Sequence, residues 1–160
     1  MTIPPWIDRK SDLLIDANLL AVLVIGRARE SLLGKKPVDK FQLSDFERLA
    51  EFSGLFRRVL TTPHVLSEVN SLINKTGFAR IECRAALGAQ IRLMDEVVKS
   101  SNEMSNDPDF TQYGLTDISI KFAATKNTLV VTEDEGLLWL LAQSGIAALR
   151  YSDFIDANDQ

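Results

Sequence analysis

The sequence predicts an α/β domain built on a central parallel sheet, and two observations carry that expectation. Short apolar runs of strand length recur along the chain: "LLI" at residues 13–15, "TLVVT" at 128–132 and "IAALRY" at 146–151. Longer stretches with helix formers and apolar residues at helical spacing lie between them. Short, wholly apolar strands alternating with helices are the pattern of a buried parallel sheet. The 160 residues suit a single domain spanning 1–160, with no internal repeat, low-complexity segment or linker.

Taken in order, residues 13–15 run straight into Asp16, and residues 17–30 follow as a helix that is apolar nearly all round. "GKKPVDK" at 34–40 reads as a loop. Ser44 and Glu47 have capping-box spacing and predict a helix from there to about residue 52, with Gly54 interrupting before "LFRRVL". Thr62 reads as an N-cap with Pro63 in the first helical position. Val65, Leu66, Val69, Leu72 and Ile73 then form one apolar stripe, with Glu68 at its edge. A long helical pattern covers 78–99, followed by a polar loop at 100–114. Thr116 is placed to cap a helix from 117 to about 126. After the strand at 128–132 comes a helix at 136–143, with Gly145 as its stop, and the last strand at 146–151.

Composition bounds the function. At 46% hydrophobic and 25% charged residues the chain can bury a core, and its net charge of -4 argues against passive, charge-driven nucleic-acid binding. A local basic patch or a metal-mediated contact remains open. Cys83 is the single cysteine, so no internal disulfide forms, which fits a cytoplasmic protein. "MTIPPWIDRKSD" has no signal-peptide character, and the longest uncharged apolar stretch, 17–26, is too short to span a bilayer. His64 is the only histidine, which excludes a ribonuclease using paired histidines; it reads as a structural residue near a helix start. Trp139 is expected in the core, and Trp6 is expected to pin the N-terminal segment.

In parallel sheets, ligands bind outside the carboxyl ends of the strands. Asp16 follows the first strand and Asp134 the "TLVVT" strand, while Asp117 starts a helix and Glu68 lies one turn into another. Each has an ordinary reading. Asp16 is a good N-cap, Thr132 and Glu135 have capping-box spacing around Asp134, and Asp117 suits a helix first turn. Glu68 alone would be a solvated helix residue. Gathered by a fold, the four would repel strongly and need a cation, and an all-oxygen set suits Mg²⁺ or Mn²⁺.

"LLIDANLL", "TTPHVLSEVNSL", "GLTDISI" and "LVVTEDEGL" occur in that order. Together they resemble the four acidic motifs of the PIN-domain family of metal-dependent ribonucleases, over most of the chain. The resemblance implies a three-layer sandwich with a central parallel sheet and an acidic site at its C-terminal edge. That site would comprise Asp16, Glu68, Asp117 and Asp134, with Asn18 and Thr132 as supporting groups. Asp16 and Asp117 are assigned as direct ligands of Mg²⁺ or Mn²⁺. The region between the first two acids and the loop before Asp117 are longer than in the compact bacterial toxins of the family.

The expected function is therefore metal-dependent endoribonuclease, in the setting of a toxin–antitoxin pair. Expected partners are RNA, a protein antitoxin docking on the apolar helices 17–30 and 41–60, and a second copy in a homodimer. Arg57, Arg58, Lys35 and Lys36 are the candidate RNA-binding residues. The alternatives are a DNA-directed or structure-specific nuclease and a catalytically silent PIN-like scaffold. A response-regulator receiver is discounted, because no acidic pair follows the first strand and no lysine follows the last.

Overall fold

A computed structural model describes Ile7 and residues 10–158. Trp6 lies outside the described residues. Five parallel strands form one sheet: β1 (Asp12–Ile15), β2 (Arg58–Thr61), β3 (Asp95–Glu96), β4 (Thr128–Thr132) and β5 (Ala147–Arg150), in the order β3-β2-β1-β4-β5. Helices flank it: α1 (Ala17–Ala28), α2 (Leu43–Ser53), α3 (Pro63–Ile73), α4 (Arg80–Ile91), α5 (Ser101–Met104), α6 (Phe110–Ala123), α7 (Glu135–Gln143) and α8 (Tyr151–Asn158). The architecture is an α/β three-layer sandwich, PIN-like as expected. No helix among the described residues is long and apolar enough to cross a membrane.

The strand order fixes where a site belongs. The chain runs outward from β1 to β2 and β3, then returns to the other side of β1 for β4 and β5. The winding therefore reverses between β1 and β4, and in open parallel sheets ligands bind at such a point, outside the carboxyl ends of the strands. These two strands are buried along their whole length, as central strands covered on both faces must be. Leu14 pairs with Leu60 on one side and Val130 on the other, and Ile15 pairs with Val131. Alternation then brings Asp16 beside Thr132 on one face.

The core centres on α1, whose residues Leu19 to Gly26 are all buried against α2, α3 and α4. Gly26 is required there: a Cβ would sit 2.5 Å from Phe46 Cδ2 of α2, so the two helices approach only because no side chain intervenes. Burial of α1 overturns its expected role as an antitoxin-docking surface. The second expected surface, a helix over 41–60, does not exist as one element: α2 ends at Ser53 and β2 begins at Arg58. Its cap also lies earlier than predicted. Gln42 is the N-cap and Asp45 accepts from the Gln42 N–H at 2.7 Å, so Ser44 and Glu47 are not the capping pair.

Thr62 caps α3 as predicted, accepting from the Val65 N–H at 3.2 Å. The long helix expected over 78–99 is broken: α4 stops at Ile91 and the two-residue β3 follows. The loop expected at 100–114 holds α5 and the first turn of α6. Trp139 is 61% exposed rather than buried, because α7 turns Leu137, Leu140 and Leu141 inward and leaves residue 139 on its outer face. Cys83 is buried.

Candidate active site

Asp16 stands at the carboxyl end of β1, where the winding reverses. It is 7% exposed and ends β1 by capping α1: Oδ1 accepts from the Ala17 N–H at 2.7 Å. Oδ2 accepts from the Thr132 hydroxyl at 2.7 Å. The capping reading and the site reading of Asp16 are thus compatible, since the cap fixes the carboxylate at the strand end. Burial pushes its pKa up, against the pull of the Thr132 and Ala17 hydrogen bonds, and the charges of Glu68 and Asp134 push it further.

Thr132 ties the two strand ends together. While donating to Asp16, its hydroxyl accepts from the Asp134 N–H at 3.0 Å. Asp134 caps α7, its Oδ1 accepting from the Leu137 N–H at 2.9 Å, with the side chain exposed at the rim. The capping box expected of Thr132 and Glu135 is thus replaced by Asp134 as the N-cap, and Asp134 still faces Asp16 and Asp117 electrostatically.

Asp117 is half-buried in α6, three residues after Gly114, whose φ of +79° breaks the helix. The helix therefore restarts just ahead of Asp117, close to the predicted start but without Thr116 as its cap. Thr116 instead donates to Glu68 at 2.6 Å, joining α6 to α3. Beneath that link, the Thr62 and Ser119 hydroxyls bond at 2.8 Å. Among the described residues no donor reaches the Asp117 carboxylate. Burial, then the charges of Asp134, Asp16 and Glu68, push its pKa up to about 7. Glu68 itself is exposed.

The four predicted acids thus come from the end of β1, from α3, from α6 and from the start of α7, and they share one electrostatic field. As they stand, no three acidic, histidine or cysteine side chains among the described residues are drawn closely enough to grip an ion. The donor set nevertheless fits a hard divalent cation in kind: all donors are carboxylate oxygens, and their mutual repulsion is the cost that such a cation relieves.

The supporting residues divide. Thr132 lies within the hydrogen-bonded centre. Asn18 is exposed and lines a neighbouring cavity of about 610 Å³, together with Glu133, Tyr151 and Ser152. That cavity was not foreseen from the sequence, although a signal existed: Tyr151 and Ser152 directly follow β5, as Asp16 follows β1.

The candidate RNA-binding residues also divide. Arg58 opens β2, at the amino end of the sheet and away from the acids, and it is spoken for. Its guanidinium holds buried Asp12 at 2.6 and 3.0 Å and pulls the Asp12 pKa down. Arg57 precedes it at the same edge. Lys35 and Lys36 are exposed on the loop that leads into the cavity wall at Pro37, Asp39 and Lys40. Lys40, not singled out from the sequence, lines the cavity directly. His64 lies in the first turn of α3 with its Nδ1 buried and lacking a partner among the described residues.

No protein-family model matches the chain, and no curated protein matches it in sequence.

Proposed function

We propose that the protein is an Mg²⁺- or Mn²⁺-dependent endoribonuclease that hydrolyses RNA phosphodiester bonds at Asp16, Glu68, Asp117 and Asp134. The observation that carries this reading is the electrostatic coupling of four carboxylates from four separate elements, two of them at the strand ends where the sheet reverses its winding. A fold gains no stability from such coupling, since each charge raises the cost of ionising the next. When bound, a divalent ion supplies an acidified water and neutralises charge that builds on the phosphate.

Asp117 is the residue with most to gain from a cation, because it is half-buried, without a hydrogen-bond donor among the described residues, and held near pH 7. Asp16 is fixed in place by two hydrogen bonds, one per oxygen, which leaves lone pairs on each for a ligand. These two are the direct ligands. Exposed Glu68 and Asp134 orient the attacking water and the strand. The motif resemblance supports RNA as substrate and a cytoplasmic toxin–antitoxin setting, with an antitoxin as partner and a homodimer as assembly.

The test is cleavage of a labelled mixed RNA pool, with a matched DNA pool, in Mg²⁺, Mn²⁺ and EDTA. The comparison protein is the Asp16→Asn/Asp117→Asn double variant, checked for folding. Cleavage of RNA that needs metal and vanishes in the variant supports the reading; preferential DNA cleavage redirects it to a DNA-directed nuclease. One observation favours a silent scaffold instead, namely that no three acids are tightly drawn together. That second reading predicts equal, background traces for both proteins and no thermal shift on adding Mn²⁺.

A further inference from the structure

The cavity of about 610 Å³ adjoins the acids through the sequence: Asn18 lies two residues beyond Asp16, and Glu133 directly precedes Asp134. Its size falls within the range of small-ligand sites. Pro37, Phe41 and Ile155 give it half-buried apolar surface. Asp39, Asp45 and Glu133 give it hydrogen-bond acceptors.

Two of these carboxylates are already anchored. Asp45 accepts from the Gln42 N–H at 2.7 Å and from the Tyr151 hydroxyl at 3.1 Å. Glu133 accepts from the Ser152 N–H and, at 3.2 Å, from the Ser152 hydroxyl. Anchored acceptors with spare lone pairs are suited to reading neutral N–H donors. A planar ring with an amino edge matches this combination of a small apolar wall and fixed acceptors. An isolated phosphate does not, because three carboxylates face it with Lys40 as the one cation among the lining residues.

We propose that this cavity is a nucleobase subsite. It takes an amino-bearing base (adenine, cytosine or guanine) of the RNA strand, beside the phosphate held at the acids. This rests on the nuclease reading and adds a source of base preference to it. Uracil, which lacks an exocyclic amino group, fits worst. A cationic peptide side chain is the competing occupant.

The experiment follows backbone amide shifts of Asn18, Phe41 and Ser152 by NMR while adenosine, cytidine, guanosine or uridine is added in EDTA. Parallel arms use arginine methyl ester as the probe and cleave labelled RNA in Mn²⁺. Two variants are compared: Asp39→Asn, at an exposed position, and Phe41→Leu, which keeps apolar bulk and loses the ring. Thermal melting checks that both fold. The expected result is saturable shifts with the amino-bearing nucleosides, at least about threefold weaker for uridine, and weakened in either variant. The cut-site base bias should flatten in the same variants. Metal-dependent cleavage with no nucleoside shifts and an unchanged base bias overturns the subsite and leaves the nuclease intact. Shifts by arginine methyl ester alone also overturn it, in favour of a peptide. Nucleoside shifts without any cleavage sink the nuclease reading while supporting base binding at this cavity.

Discussion

At the scale of single residues, Thr132 and Asp117 do opposite kinds of work. Thr132 donates to buried Asp16 and accepts from the Asp134 N–H, so one hydroxyl sets the positions of two acids. Thr132→Val keeps the shape and removes both bonds, leaving a buried carboxylate short of a donor. We expect a loss of about 1–2 kcal/mol in stability, read by urea unfolding. We also expect metal-dependent cleavage to fall by more than about tenfold, as a shift of about 1.4 kcal/mol in barrier would give. Full activity in that variant would remove Thr132 from the site. Asp117 instead carries a penalty. Its pKa lies at about 7 in the fold against an ordinary 3.8, so the folded chain binds an extra proton between those values. The associated stability is fully present below the lower value and is lost as pH rises through the upper one. Asp117→Asn should therefore be more stable than the wild type at pH 8, on the order of 2–4 kcal/mol, with the gap closing toward pH 4. Denaturant midpoints at the two pH values check this; a variant no more stable at pH 8 would show that Asp117 is not strained by its neighbours. The positions of Asp16, Thr132 and Asp134 were legible because each sits at a strand end or helix start that the sequence marks, whereas Glu68 and Asp117 lie inside α3 and α6 and were marked by their motifs alone. Tyr151, Ser152 and Glu133 were passed over: the end of β5 marks the first two, but it takes the packing of α8 beside α2, through Tyr151 and Asp45, to place them in one cavity wall with Asn18.

At the scale of elements, the sequence was clearest where burial and capping agree. β1, β4, Thr62 with Pro63, and the Gly145 stop all announce themselves by apolar runs or backbone-specific residues. β2 and β3 did not. β2 starts with exposed Arg58 and half-buried Val59, and β3 is two exposed acidic residues, so neither has an apolar run to detect. They become strands because a parallel neighbour offers the ladder, an override of local propensity by tertiary pairing. Helix α8 was hidden for a similar reason, its start overlapping the end of a strand pattern. The break in α6 matters most for the site. Gly114 has a φ of +79° with nothing within 4 Å of where a Cβ would be, so strain rather than crowding forbids a side chain there. Gly114→Ala should cost about 1–3 kcal/mol, because a φ of +79° with a ψ of -176° is a conformation essentially confined to glycine. It should lower cleavage beyond what stability explains, because Thr116 and Asp117 lie just past the break. Urea midpoints and cleavage rates measured on the same sample separate the two effects, and a proportional loss would make the break merely structural.

At the scale of the whole molecule, a net charge of -4 sets the terms on which an anionic strand can approach. Under the proposed function, the four coupled carboxylates add to that repulsion where a phosphate would sit, and a divalent cation would act on folding and on substrate through the same groups. Binding to the native state alone stabilises by mass action, about 1.4 kcal/mol at roughly tenfold excess over the dissociation constant. For a domain of this size that is a rise of about 3–4 °C in Tm. Wild-type protein in saturating Mn²⁺ at pH 8 should show such a rise by calorimetry, and Asp117→Asn should show far less. The two changes cannot add: the asparagine already removes the repulsion that the cation would relieve. The Mn²⁺-dependent rise should also shrink at pH 5.5, where a proton occupies Asp117 and competes with the ion. Equal shifts in both proteins at both pH values would mean that the ion binds elsewhere. The raised pKa of Asp117 would then be a cost of the fold without a ligand to offset it.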